Sequence, residues 1–186
     1  PKACILAGWA RVVFALLILA DKLLLTVDFE WFFLSGRIPY EVSSQHPRLA
    51  SCYTIFQLAP ESPFLYYAVH YSIIGCAFLL LLGIAPRTQI VLLHFLLRSF
   101  VCHNALVWDG EDDMFIVWNF LFLFLPLHRV TIFELLGIHK FDTTDSWPMW
   151  PFRLWQLEVC FVYMGAGLGK LAGPRWRDGT ALYHVR

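Results

Sequence analysis

Apolar residues in this chain come in long runs, and that arrangement limits its folds more than any other feature. A helix that crosses a bilayer takes roughly 20 mainly apolar residues. Runs of this kind fall at about 5–27, 64–84, 90–107, 114–127 and 150–171. The cleanest is 64–84, closed by Ala85-Pro86-Arg87. The first contains Arg11 and the pair Asp21-Lys22, so it is either buried against other helices or broken near Asp21. The third holds His94 and Arg98, and the fourth is short and ends at Pro126. One soluble core of 186 residues could not absorb all of them, at 59% hydrophobic and 15% charged, where soluble domains carry about 25% charge. The mean hydropathy is +0.60. The expected fold is all-α, a polytopic transmembrane helical bundle with interfacial amphipathic helices.

Other classes are set aside by what the chain lacks. Net charge is zero, with no basic tail or stripe, so nucleic acid is not an expected partner. The lipid bilayer is. Five cysteines show no CxxC spacing; four lie in apolar runs and Cys52 stands alone in a loop. Neither a metal site nor a disulfide framework is expected. No nucleophile elbow, Walker loop, dinucleotide fingerprint or zinc pattern is present. The first run contains Arg11 and Asp21-Lys22 and lacks a cleavage motif, so it does not read as a signal peptide. The chain starts at Pro1 and stops at Arg186 without a natural boundary, as expected of the N-terminal part of a larger bundle. Residues 1–186 are read as a single transmembrane domain.

Between the first two runs, Asp28–Pro63 carries an aromatic patch, Phe29, Trp31, Phe32 and Phe33, and a second apolar piece, Leu49–Leu58. Both are too short to span and suit an interfacial position. Thr131–Trp147 reads as a short amphipathic helix (Val130, Phe133, Leu135-Leu136, Ile138) and a polar turn. The positive-inside rule ties over five spans. Lys2, Arg87, Arg129, Lys140 and Arg153 stand against Arg37, Arg48, Arg175, Arg177 and Arg186. Five spans also put the acidic loop from Trp108 to Asp113 on the same side as Lys170–Thr180.

The last run ends in the feature with most chemical content. Gly165, Gly167 and Gly169 line an apolar helix that runs straight into Lys170. Small residues admit close approach of a helix or a flat ligand. A lysine there must snorkel outward, find a partner or give up its proton. In the last case it becomes a base. Arg98 and His94, four apart, share a helix face and would line a cavity for a polar or anionic group, or pair with a charge such as Glu158 to hold the bundle together. Arg11 is a further intramembrane charge. His103-Asn104 ends the third run, where it either caps the helix or binds a carboxylate or carbonyl. Asp109, Glu111, Asp112 and Asp113 match no EF-hand spacing, and Asp113 suits a helix N-terminus.

These final residues resemble the vitamin K-dependent γ-carboxylase family and its relatives that carry the HTTM (horizontally transferred transmembrane) domain. The matching pieces are Arg153-x-x-Gln156, Tyr163-x-x-Ala166-Gly167-x-x-Lys170-Leu171 and Trp176-x-Asp178-Gly179-Thr180-Ala181-Leu182. Weaker agreement runs through Arg11, Asp21, Gly36-x-x-Pro39, Leu82-Gly83-x-x-x-Arg87-Thr88 and Gly110-Glu111-Asp112. The resemblance implies that Lys170 acts as base on vitamin K hydroquinone or a related quinone. Oxygenation of that quinone would drive carboxylation of a glutamate in a protein or peptide substrate. It also implies a multi-pass protein, of the endoplasmic reticulum if the source is eukaryotic. Gly165, Gly167, Gly169 and Arg98 would lie near the cofactor. Two departures stand out. The first lysine of the family's Ala-Gly-x-Lys-Lys stretch is Gly169 here. The family's catalytic histidine aligns with Glu111, with His103 nearby. Two other readings stand beside the enzyme: a non-catalytic HTTM domain that binds lipid or a partner helix through its glycines, and a small transporter.

Overall fold

The computed structural model describes residues 2–34, 54–59, 62–103, 110–127, 131–138 and 148–181, and every regular element among them is helical. The chain divides into two compact units, Pro1–Pro148 and Met149–Arg186.

In the first unit, α1 runs unbroken over Lys2–Phe33. Its leucines and alanines favour helix, and no proline interrupts it. Asp21 and Lys22 therefore do not break it, and the alternative of burial against other helices holds. The helix also carries the aromatic patch, which had been expected in an interfacial segment. Phe29 is buried in the last turns and stacks on Phe33 at 5.0 Å. A 3-10 turn, Ile55–Leu58, follows, capped by Thr54. Residues 35–53, 60 and 61 lie outside the described residues, Gly36 and Pro39 among them.

Helix α2 spans Pro63–Leu82 and α3 spans Pro86–His103. Each starts with proline in the first turn, where the missing N–H is no loss. Gly83 ends α2 at φ 83°, its N–H bonded to the Leu79 and Leu80 carbonyls at 3.1 Å. Three residues join α2 to α3, so the two lie antiparallel. Helix α4, Gly110–Phe122, opens with Glu111, Asp112 and Asp113, whose charges suit a helix N-terminus. Helix α5, Ile132–Leu135, is one turn held by a capping box. Thr131 N donates to Glu134 Oε2 at 2.6 Å, Glu134 N donates back to Thr131 Oγ1 at 3.4 Å, and Gly137 ends the turn at φ 75°. Of the short amphipathic helix and polar turn expected over Thr131–Trp147, the helix is a single turn, and 139–147 lie outside the described residues.

Helices α1 to α4 pack as an up-down bundle, α1 on α2, α2 on α3 and α3 on α4. Their seams repeat at heptad spacing. On α1 the buried positions include Cys4, Ala7, Arg11, Phe14, Ile18, Lys22 and Phe29. On α2 they include Tyr66, His70, Ile73, Ala77 and Leu80; on α3, Ile90, Leu93, Leu97 and Phe100. Phe14 ties α1 to α4, stacked on Phe122 at 4.7 Å and edge-on to Phe115 at 6.0 Å. The outward faces are apolar too: Leu16, Leu24 and Val27 on α1, Phe64 and Phe78 on α2, and Phe95 on α3 are all exposed. A bundle in water puts polar residues there. Among the described residues one helix, α2, is long and apolar enough by itself to cross a membrane.

One disulfide corrects the cysteine reading. Cys102, in the last turn of α3, is disulfide-bonded, while Cys4, Cys76 and Cys160 are free. Spacing could not reveal it, because bonded cysteines are brought together by the fold. Cys52 lies outside the described residues.

The second unit consists of α6, Trp150–Ala172, and α7, Pro174–Arg177. Pro174 cannot continue α6. Arg177 folds back over the end of α6, donating from Nε to the Leu171 carbonyl at 2.8 Å and from Nη2 to the Ala172 carbonyl at 3.2 Å.

Arg11 is fully buried at the other end of the bundle. It donates from Nη1 to the Leu127 carbonyl at 3.0 Å, and the Glu134 charge acts on it. Gly83 makes room for it: a Cβ at that position would lie 2.9 Å from Arg11 Nη1. Gly83→Ala is expected to destabilise the protein by at least about 1–2 kcal/mol from the left-handed backbone alone, with a further loss from displacing the guanidinium. Thermal unfolding in detergent, compared with Gly75→Ala at an open helical position, measures it.

Candidate functional site

Inside the disulfide end of the bundle, three helices present polar side chains to one another. Lys22 on α1 is only 4% exposed. Its Nζ lies 2.7 Å from Asp21 Oδ2 and 3.7 Å from Asp112 Oδ1 on α4. It also sits 5.7 Å from the centre of the Phe100 ring of α3, within cation–π range. Heptad spacing puts Lys22 on the inward stripe with Ile18, and burial of an ammonium is tolerable only where carboxylates meet it. Asp21 precedes it in sequence, and Asp112 reaches it because α4 starts beside the upper part of α1.

Thr26, one turn on, links this pair to His70 of α2. Its hydroxyl donates to the Lys22 carbonyl at 2.9 Å and lies 2.8 Å from His70 Nε2. A hydroxyl has one proton to donate. With that proton on the Lys22 carbonyl, His70 must donate through Nε2, which leaves Nδ1 as the acceptor. His70 is fully buried, and Nδ1 has no hydrogen-bond partner among the described residues. The Lys22 and Asp21 charges both act on the ring. Phe29 covers His70 at 4.4 Å, with Phe100 at 6.0 Å.

A second aromatic group closes the same end. His103, at the end of α3, lies 4.7 Å from Phe56 of the 3-10 turn, 5.1 Å from Tyr66 of α2 and 6.1 Å from Phe33 of α1. Phe56 stacks on Tyr66 at 4.5 Å. The 3-10 turn is pinned to α3 by Thr54 Oγ1 donating to the Ser99 carbonyl at 2.9 Å and Ile55 N donating to Ser99 Oγ at 3.3 Å. These rings fill the space against one another.

The other residues singled out in the sequence fall elsewhere. Glu111 is exposed in the first turn of α4; Asn104 and Asp109 lie outside the described residues. Arg98 is exposed one turn from His94, on which its charge acts. Arg98 and Glu158 belong to different units, as do the acidic loop and Lys170. In the second unit, Lys170 Nζ lies 4.9 Å from the Trp176 ring centre, a cation–π contact across the Gly173-Pro174 bend. Asp178 Oδ1 accepts from Thr180 N at 2.9 Å and Thr180 Oγ1 at 2.6 Å, and these bonds hold its carboxyl below the usual range. A Cβ at Gly165, Gly167 or Gly169 would meet nothing within 4 Å. Within the second unit the three glycines therefore cradle no ring or helix. No group of three or more metal-ligating side chains occurs among the described residues.

Sequence reasoning passed over Lys22 and His70. Lys22 entered only as one charge of a run either buried against other helices or broken near Asp21, with no partner named beyond its neighbour, and His70 sat in the cleanest span without remark. The heptad register was the available signal, since it puts 11, 18, 22 and 29 on one stripe.

No protein-family model, curated protein or solved structure matches the chain.

Thr26→Val removes the hydroxyl and strands the His70 donor in the interior. The expected loss is about 1–3 kcal/mol, with Thr26→Ser close to wild type. Thermal melts of the two variants side by side decide it.

Proposed function

We propose that this chain is a multi-pass membrane protein of the carboxylase-like HTTM kind, with the buried Lys22, Asp21, Asp112, Thr26 and His70 group as its working centre. The observation that carries the proposal is an ammonium only 4% exposed among carboxylates, inside a bundle whose outward faces are also apolar. Ionisable residues within a spanning segment are costly and mark functional sites by default. Lipid against Leu24, Val27, Phe64 and Phe95 removes the anomaly of their exposure. In this setting α1, α3 and α4 cross beside α2, their charges turned inward or placed near helix ends. Arg98, one turn from the last turn of α3, reaches the interface by snorkelling.

The centre can hold and move protons. Lys22 Nζ faces two carboxylates, and the Thr26 hydroxyl connects its backbone to His70, whose Nδ1 is available to accept. A polar group entering here meets a cation, an acceptor nitrogen and a carboxylate pair. Apolar walls strengthen each of those interactions.

The resemblance in the second unit adds a catalytic reading: carboxylation of a protein or peptide glutamate driven by oxygenation of a reduced quinone such as vitamin K, with Lys170 as base. What supports it is the run of matching residues from Tyr163 through Lys170 to Thr180. Within its own unit the glycine face beside Lys170 is open, and no step through a quinone follows from it. A non-catalytic lipid- or helix-binding domain and a small transporter are the competing outcomes.

Two measurements separate these. The chain is expected to stay in the membrane pellet after alkaline carbonate; release into the supernatant overturns the membrane reading. In membranes holding the full-length parent, epoxide formed from reduced vitamin K is expected to fall at least tenfold in Lys22→Met. If it falls in Lys170→Ala and not in Lys22→Met, the chemistry belongs to the second unit. If a folded wild type forms none, the quinone reading fails.

A further inference from the structure

We infer that Phe100 is the positioning residue of the Lys22 centre: its ring face holds the Lys22 ammonium inside the bundle, beside Thr26 and His70, against two carboxylates that draw it outward. The inference rests on the reading of that group as the working centre and names what keeps its cation in place.

The first observation is where the partners of Lys22 lie. An ammonium has three protons to place. One contact is short: Nζ stands 2.7 Å from Asp21 Oδ2. Asp112 Oδ1, at 3.7 Å, is beyond hydrogen-bond distance and acts by charge. Both carboxylates sit nearer the surface than the cation. The Asp21 and Asp112 side chains are 35% and 18% exposed, and that of Lys22 is 5% exposed. Adjacent residues do not face each other on a helix, so Asp21 meets Lys22 from beside the inward stripe. With the carboxylates alone, the ammonium gains solvent and charge contact by swinging toward them. The attraction from within is the ring of Phe100, which is buried and lies under the ammonium with its centre 5.7 Å from Nζ. The negative face of an aromatic ring attracts a cation, most strongly where water is excluded.

The second observation is how firmly that ring is set. Phe33 lies 4.8 Å from it and Phe29 6.1 Å, both on α1, and Phe56 of the 3-10 turn meets it edge-on at 5.6 Å. Ser99, the residue before Phe100, pins the same turn to α3. The His70 ring stands at 6.0 Å. One ring thus borders both the ammonium and the imidazole, whose helices are joined by the Thr26 hydroxyl. An aliphatic side chain at this position fills the space and exerts no such pull on the cation. Lys22 then moves toward Asp21, and its charge and the acceptor nitrogen of His70 no longer act on one bound group.

The test changes the charge on the ring face and keeps the shape of the ring. In the full chain, Phe100 is replaced in turn by mono-, di- and trifluorinated phenylalanine, which draw electrons from the face step by step. The midpoint of thermal unfolding in detergent is expected to fall with each step, by about 2–4 °C at the trifluorinated ring. Placed on Lys22→Met, the same series is expected to stay level; Lys22→Gln gives a second neutral background with a polar side chain. In membranes holding the full-length parent, epoxide formed from reduced vitamin K is expected to fall along the series in step with the midpoint. A level series with Lys22 present overturns the inference and leaves the quinone reading standing, because Lys22→Met tests that reading separately. A slope that survives in both neutral backgrounds also overturns it, since the ring then answers to something other than the ammonium. A slope in stability with epoxide formation unchanged overturns the positioning role. A folded wild type that forms no epoxide overturns the quinone reading alone, and the slope and its loss without Lys22 still decide what holds the cation.

Discussion

An ammonium on the inward stripe of a helix has to be answered, and much of this bundle is arranged around that need. Lys22 occupies a heptad position where its neighbours are Ile18 and Phe29. Its charge is met within α1 by Asp21 and across the bundle by Asp112. The second contact requires α4 to begin beside the upper part of α1. It also puts the acidic first turn of α4 where its own dipole favours negative charge. Thr26 and His70 extend the same group to α2, and the Phe100 face brings in α3. One cation thus engages all four helices.

The opposite end solves the same problem differently. Arg11 is as buried as Lys22 and is satisfied in part by a backbone carbonyl, Leu127, which is accessible because the chain leaves α4 there. Gly83 serves two needs at once: its positive φ ends α2, and its missing side chain leaves room for the guanidinium. Between these charged ends the seam is mostly apolar; Gln89 and Asn119 are buried in it, and the Asn119 side-chain amide donates to the Ile90 carbonyl at 2.8 Å. Charges turned inward under apolar outward faces are the distribution on which the proposed membrane setting rests.

Much of the helical layout could be read from the apolar runs. Helix α2 lies where the cleanest run lies, and α6 begins at Trp150 as the last run does. Boundaries were read less well. Helix α1 continues to Phe33, because the aromatic residues after Asp28 gain ring contacts with His70 and Phe100 that a local pattern does not disclose. Helix α5 is one turn, because the Thr131–Glu134 capping box starts a helix that Gly137 stops almost at once. The candidate site was legible only in part. His103 was singled out and stands in the aromatic group at the disulfide end, whereas Glu111 and Arg98 are exposed and the glycines of α6 meet nothing within their own unit. The Cys102 disulfide was invisible to spacing.

By itself the sequence determined that this chain is helical, where the apolar helices lie and which of them carry charge, because those properties follow from composition and from periodicity along one helix. Which charges matter to one another was decided only by the tertiary structure. Lys22 and Asp112 are ninety residues apart, and Thr26 meets His70 across a connection whose length says nothing about register. Contacts between helices depend on how their stripes face in space. That arrangement separates a lysine that could have broken a helix from one that organises a bundle.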